Sequence, residues 1–289
     1  MKFRILLGLL SSFCCTPAGA APIKVVVSFS ILNDMVRQVA GPDAELTVLV
    51  GPDGDAHTFD PSPADAKALA GASLVIRNGL GFDDWMQRLG ESAGYARPMV
   101  IASDGVQALP LDGTADPHAW QDLRNGVLYV RNIERALAAA DPAHADVFSG
   151  RAARYESELT ALDGKTRAIL AAFPEANRKV ITSHDAFGYF GRAYGVSFLA
   201  PEGISTDAEP TAHDVAQLVD QIRTSKIKAI FLENMTDPRL IAKIARETGT
   251  VLGGTLYSDA LSPPDGPAAS YLAMFEWNVA RLSEGLARN

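Results

Sequence analysis

Between Pro142 and Phe173 the chain carries one unbroken helical signal, and no other stretch limits the fold so strongly. Phe148, Ala152, Tyr155, Leu159, Leu162, Thr166, Ile169 and Phe173 follow one another in alternating steps of four and three. That spacing holds side chains on one face of an α-helix. At about 1.5 Å per residue the segment predicts a rod of about 48 Å, long enough to run along two lobes. Asp141-Pro142 supplies a cap and a proline at its start. Gly150 and Gly164 each weaken it by about 1 kcal/mol relative to alanine, so a bend or break is expected there if anywhere.

The flanks of this rod set the fold class. Upstream, IKVVVSF (23–29), AELTVLV (44–50), SLVIRNG (73–79) and PMVIASDG (98–105) read as strands separated by helical patterns. One of those helices has Ser62 as cap, Pro63 at its first position and Gly71 at its end. WQDLRNGVLYVRNIERALAAA (120–140) is helical throughout. Downstream, KVITS, VSFLA, IKAIFLE and TVLGGTLY read as strands, and helices begin at Ala186, Thr211, Asp237 and Ala268. Strands alternating with helices require parallel sheets covered on both faces. The expectation is an α/β protein of two lobes, 21–141 and 174–289, each a parallel sheet flanked by helices. The long rigid helix 142–173 joins them. No short repeat relates the halves. A ligand belongs in the cleft where loops at the carboxyl ends of strands face one another.

The first twenty residues have Lys2 and Arg4, an apolar run from Ile5, and Ala18-Gly19-Ala20. This reads as a cleaved secretory signal (1–20), too short to span a bilayer, and the expected destination is the periplasm. Phe13 is bulky where a lipidation signal wants a small residue, which disfavours Cys14 or Cys15 as a lipid anchor. Both cysteines of the chain lie here, so the mature protein has no disulfide, and a metal site must use nitrogen and oxygen ligands. A net charge of -8 argues against nucleic acid as a partner.

Of the five histidines, His57, His118 and His184 each sit just beyond the carboxyl end of a strand. Asp259, after the last strand, is a carboxylate in the same kind of place. Three imidazoles and one carboxylate suit a tetrahedral zinc site. Binding to neutral imidazoles releases protons and weakens as pH falls through the histidine range, near 6.5. His144 reads as a surface residue and His213 as part of a helix start. Ser183-His184-Asp185 spells a hydrolase triad, but neighbours on an extended strand point to opposite faces and cannot align as one. Asp116, Asp185, Glu209 and Glu233 are candidates to orient ligand imidazoles, with helix caps or surface charge as the plainer role of each. Trp120 and Phe187 are candidate walls of the site or core aromatics.

The stretches GDAHTFDPSPAD, DPHAW, TSHDAFGYFGRAYG, GISTDAEPTAHD, FLEN and ETGTVLGGTLYSDAL resemble, in order and over nearly the whole mature length, the cluster A-I periplasmic metal-binding proteins of zinc and manganese ABC importers. The resemblance implies ligands at His57, His118, His184 and Asp259, two from each lobe, with no catalytic residue. It also implies delivery of the ion, by a monomer, to an inner-membrane permease with its ATPase. Imidazole at position 184, where manganese-specific members usually have glutamate, favours Zn2+ over Mn2+, with a manganese or iron binding protein of the same importer class as the alternative. DGVQALPLDGTA (104–115) lacks the histidines that many zinc-binding relatives carry before the DPH motif. Two other classes compete. A zinc hydrolase would use Asp259 as a base, yet HExxH is absent. A metal-binding adhesin shares the resemblance.

Overall fold

The computed structural model describes residues 21–111, 113–207 and 210–289; the predicted signal, with Cys14 and Cys15, and Glu209 lie outside the described residues. Its frame is two parallel four-stranded sheets. The first contains β1 (Ile23–Phe29), β2 (Ala44–Val50), β3 (Leu74–Arg77) and β4 (Val100–Ile101), in the spatial order β2-β1-β3-β4. A small antiparallel hairpin follows, β5 (Pro110–Leu111) with β6 (Thr114–Ala115). The second sheet contains β7 (Lys179–Ile181), β8 (Ser197–Leu199), β9 (Ala229–Glu233) and β10 (Val251–Leu256), in the order β10-β9-β7-β8. Taken from its other edge, that is second, first, third, fourth strand, the order of the first sheet. The two halves thus repeat a topology without repeating a sequence.

β1 is buried continuously from Val25 to Phe29, as a central parallel strand covered on both faces must be. The helices are α1 (Ser30–Ala40), α2 (Pro63–Ala70), α3 (Trp85–Ala93), α4 (Leu123–Ala140), α5 (Ala145–Ala171), α6 (Gly188–Tyr194), α7 (Ala212–Ser225), α8 (Pro238–Thr248) and α9 (Tyr271–Leu286). Ser62 and Asp65 form a reciprocal capping box on α2, with Pro63 at the first position and Gly71 at the end. Asp237 caps α8 ahead of Pro238.

α5 runs for 27 residues without interruption, about 40 Å, after a 3-10 turn at Pro142–His144. Gly150 and Gly164 face open space, and the helix passes through both. It buries Phe148, Ala152, Tyr155, Leu159, Leu162 and Thr166, then Leu170 in place of Ile169 at its last turn. α5 packs on α1 and α4 from the first half and on α6 and α9 from the second. One apolar core consequently runs through both lobes, and a smaller cluster fills the space between β9, α7 and α8.

Three details depart from the sequence expectations. The fourth strand pairs over only Val100–Ile101, because a turn closes directly afterwards with Asp104 donating to the Ile101 carbonyl (3.3 Å). The hairpin β5-β6 occupies a stretch that reads as loop. The helix expected from Trp120 begins as a 3-10 turn at Ala119–Gln121 and restarts at Leu123, where the Asp122 side chain accepts the Arg124 amide (2.9 Å). Among the described residues no helix is long and apolar enough to cross a membrane.

Candidate metal centre

The carboxyl ends of the two sheets face each other, and four of their loops deliver one side chain each to a common point. His57 follows β2, His118 follows the β5-β6 hairpin, His184 follows β7 and Asp259 follows β10. One ligand-capable atom from each lies within 4.8 Å of all the others. His57 Nε2 is 3.3 Å from His118 Nε2 and 3.3 Å from Asp259 Oδ2. Asp259 Oδ2 is 3.0 Å from His184 Nε2, and Oδ1 is 3.7 Å from His118 Nε2. Four donors placed tetrahedrally about 2.0 to 2.1 Å from zinc are separated from one another by about 3.3 Å. The His57–His118, His57–Asp259 and His184–Asp259 separations are close to that value. Asp259 Oδ1 is buried without a hydrogen bond, an acceptor for which a cation is the natural partner.

Two of the imidazoles are met by carboxylates at Nδ1, and the backbone that carries the third is held in place. Asp116 Oδ1 accepts both the His118 amide (2.9 Å) and His118 Nδ1 (2.9 Å). A carboxylate only accepts, so Nδ1 carries the proton and the Nε2 lone pair points to the centre. Glu233 Oε1 accepts the amides of Ser183 (2.7 Å) and His184 (3.1 Å). Its Oε2 lies 2.8 Å from His184 Nδ1, off the axis of a linear hydrogen bond but at ion-pair distance. The His57 amide donates to Asp55 Oδ1 (2.9 Å), and Trp85 Nε1 holds the preceding carbonyl, that of Ala56 (3.1 Å).

The charges are strongly coupled. Burial opposes protonation of His184, but Glu233 and Asp259 outweigh it and hold the imidazole well above its usual range. Burial likewise opposes ionisation of Asp259, yet His184 and His118 keep its carboxyl well below the ordinary one. The two carboxylates beside His184 thus favour a proton on its ring.

Aromatic rings close the centre on the first lobe's side. Trp120, whose Nε1 donates to the Ser258 carbonyl (2.9 Å), stands edge-on to His118 at 5.4 Å. Phe187 stacks on Phe198 at 4.8 Å and belongs to the core of the second lobe. The ring that flanks His57 is instead Phe82, at 4.9 Å. Sequence reasoning passed over it, although the glycines of NGLGF were a signal: Gly79, Leu80 and Gly81 all have positive φ (87°, 55° and 86°). Asp83 holds this turn by accepting the amides of Asn78 (2.6 Å) and Gly79 (3.0 Å), and burial pushes its carboxyl upward. Of the other candidates, Asp116 and Glu233 reach the imidazoles, while the Asp185 amide bonds the Gly203 carbonyl (3.1 Å). His144 pairs with Asp141 and His213 with Gln217, both away from the centre.

A family model described as the periplasmic zinc-uptake complex component A matches residues 25–285. The metal ABC transporter substrate-binding lipoprotein FimA of Streptococcus parasanguinis is 32% identical, over 98% of this chain and 96% of its own. The iron-binding protein YfeA of Yersinia pestis is 30% identical, over 93% and 88%. The periplasmic zinc binding protein TroA of Treponema pallidum superposes with a TM-score of 0.88 at 29% identity, covering 92% of this chain and 99% of that one. Matched along nearly its whole described length in sequence and in architecture, the chain belongs to the zinc-uptake component A family, the extracytoplasmic substrate-binding proteins of metal ABC transporters, which carry solutes and are not enzymes.

Proposed function

We infer that the protein captures zinc in the periplasm, with His57, His118, His184 and Asp259 as the ligands, and hands the ion to an inner-membrane permease driven by an ATPase. The observation that carries this reading is a largely buried donor set of three imidazoles and one carboxylate, all within 4.8 Å of one another, with Asp259 3.0 to 3.7 Å from each imidazole. Borderline-soft imidazole suits zinc, whereas manganese prefers harder oxygen donors. The ion is the cargo, so every ligand acts in capture and release alone. The reading includes export by a signal at residues 1–20, and a division into lobes 21–141 and 174–289 about the helix 142–173.

Similarity to YfeA, which is named for iron, supports a second reading, iron or manganese at the same four residues. Metal analysis of the protein exported in its own host decides between them, repeated with His184→Glu. Zinc at one ion per chain, with a shift toward manganese in the variant, is expected. Iron or manganese in the parent overturns the choice of zinc, and a metal-free parent that also fails to take up zinc in vitro overturns the ligand assignment.

A further inference from the structure

Of the four side chains at the centre, His57 is the one that reaches solvent, at 6% exposure, where His118, His184 and Asp259 have none. It opens on a cavity of about 400 Å³ whose walls include Leu80 and Gly81 of one lobe and Ile204, Ser205 and Asp207 of the other. Thr206, between them in sequence, lines another depression, about 360 Å³, together with Asp55 and Met235. Residues 204–207 therefore form a narrow strap between two openings, laid across the cleft beside His57.

The strap is tied toward the centre at its root and at Thr206. At its root, the Glu202 amide donates to the Ser183 carbonyl (3.3 Å) and the Asp185 amide to the Gly203 carbonyl (3.1 Å), gripping the residues on either side of His184. At its crest, the Thr206 hydroxyl donates to Asp55 Oδ2 (2.6 Å). The other oxygen of that carboxylate, Oδ1, accepts the His57 amide (2.9 Å). One carboxylate thus divides its oxygens between a backbone group of the first lobe and a hydroxyl of the second. The loops bearing His57 and His184 are tied together outside the metal as well as through it.

We propose that Thr206 and Asp55 form a latch that holds His57 in register and slows escape of the bound ion past it. Thr206 is a positioning residue, since it touches Asp55 and not the ligand atoms. Hydrogen bonds to a charged acceptor exceed neutral ones, and losing this one shortens the residence time of the ion by about tenfold. This inference rests on the metal-capture reading above.

The test is stopped-flow release of zinc from the loaded, full mature chain into excess EDTA, for wild type, Thr206→Val and Thr206→Ser. Valine keeps the shape and removes the hydroxyl, and serine keeps the hydroxyl. Release about tenfold faster from the valine variant, with the serine variant within about twofold of wild type, is the expected result. Valine-variant release no faster than wild type overturns the latch, as does equal acceleration in both variants, which would assign the effect to packing. A wild type that binds no zinc overturns the metal-capture reading instead.

Discussion

Glu233 and His184 are joined twice: Glu233 Oε1 accepts the His184 amide at 3.1 Å, and Oε2 stands 2.8 Å from the Nδ1 of the same residue. One buried carboxylate therefore fixes both the backbone and the ring of a residue whose other nitrogen faces the centre. Glu233→Gln keeps the shape and removes the charge that raises His184 basicity. Zinc affinity is expected to fall by about 10- to 100-fold, the usual effect of removing an outer carboxylate from a ligand histidine. Isothermal titration against a competing chelator measures it, and unchanged affinity would show that Glu233 serves the backbone alone.

The same pair sets a pH dependence. His184 is held protonated above its usual range by Glu233 and Asp259 against the opposing effect of burial. Its folded pKa exceeds its unfolded one, so the proton stabilises the metal-free protein fully below about pH 6.5, and that contribution is lost as pH rises through the folded value. If zinc is the ion and His184 a ligand, as proposed, it has to displace this proton, and affinity climbs over the same interval. Metal-free Tm is expected to fall, and zinc affinity to rise, as pH increases from about 6.5. Both slopes should flatten in Glu233→Gln, a comparison that separates His184 from other titrating groups.

Gly188, at the start of α6 in the second lobe, comes so close to Asp116 that a Cβ there would lie 2.5 Å from Asp116 Oδ2. No real Cβ contact is that short, so Gly188→Ala displaces the carboxylate that orients His118. Zinc affinity is expected to drop by about tenfold. In a double-mutant cycle the loss should not add to that of Asp116→Ala, because both act through one group. Additive losses would sink this account.

Leu159 lies midway along α5, fully buried in the core that runs through both lobes. Leu159→Ala is expected to cost about 2 to 5 kcal/mol in urea unfolding. Because the core is shared, the metal-free protein should still unfold in one transition, followed by far-UV circular dichroism and tryptophan fluorescence together. Two resolved transitions would mean that the lobes are stabilised independently.

The elements that were legible in the sequence are those that local physics fixes. The four-and-three stripe of α5 reads directly, since a helix half-buried along its length must repeat its apolar face. Ser62-Pro63 and Asp237-Pro238 announce α2 and α8, because a cap and the proline behind it act within one turn. What failed locally failed where longer-range contacts decide: the fourth strand stops at Ile101 where a turn competes with the ladder, and the β5-β6 hairpin forms within a stretch that reads as loop.

His57, His118, His184 and Asp259 could be marked as candidates from the sequence because strand ends in an α/β sheet point at a cleft. That Nε2 of each imidazole and the Asp259 carboxylate converge within 4.8 Å is a property of two sheets facing one another across α5, and no pattern within either half contains it. Asp116 and Glu233 reach His118 and His184 through angles and distances that spacing along the chain leaves free. Phe82, Gly188 and the Thr206 hydroxyl act on residues from 25 to 151 positions away. Most helices, strands and caps could be read along the chain, since they follow from forces acting over a few residues. Which side chains meet depends on how the two halves pack about their common helix, and that is set in three dimensions alone.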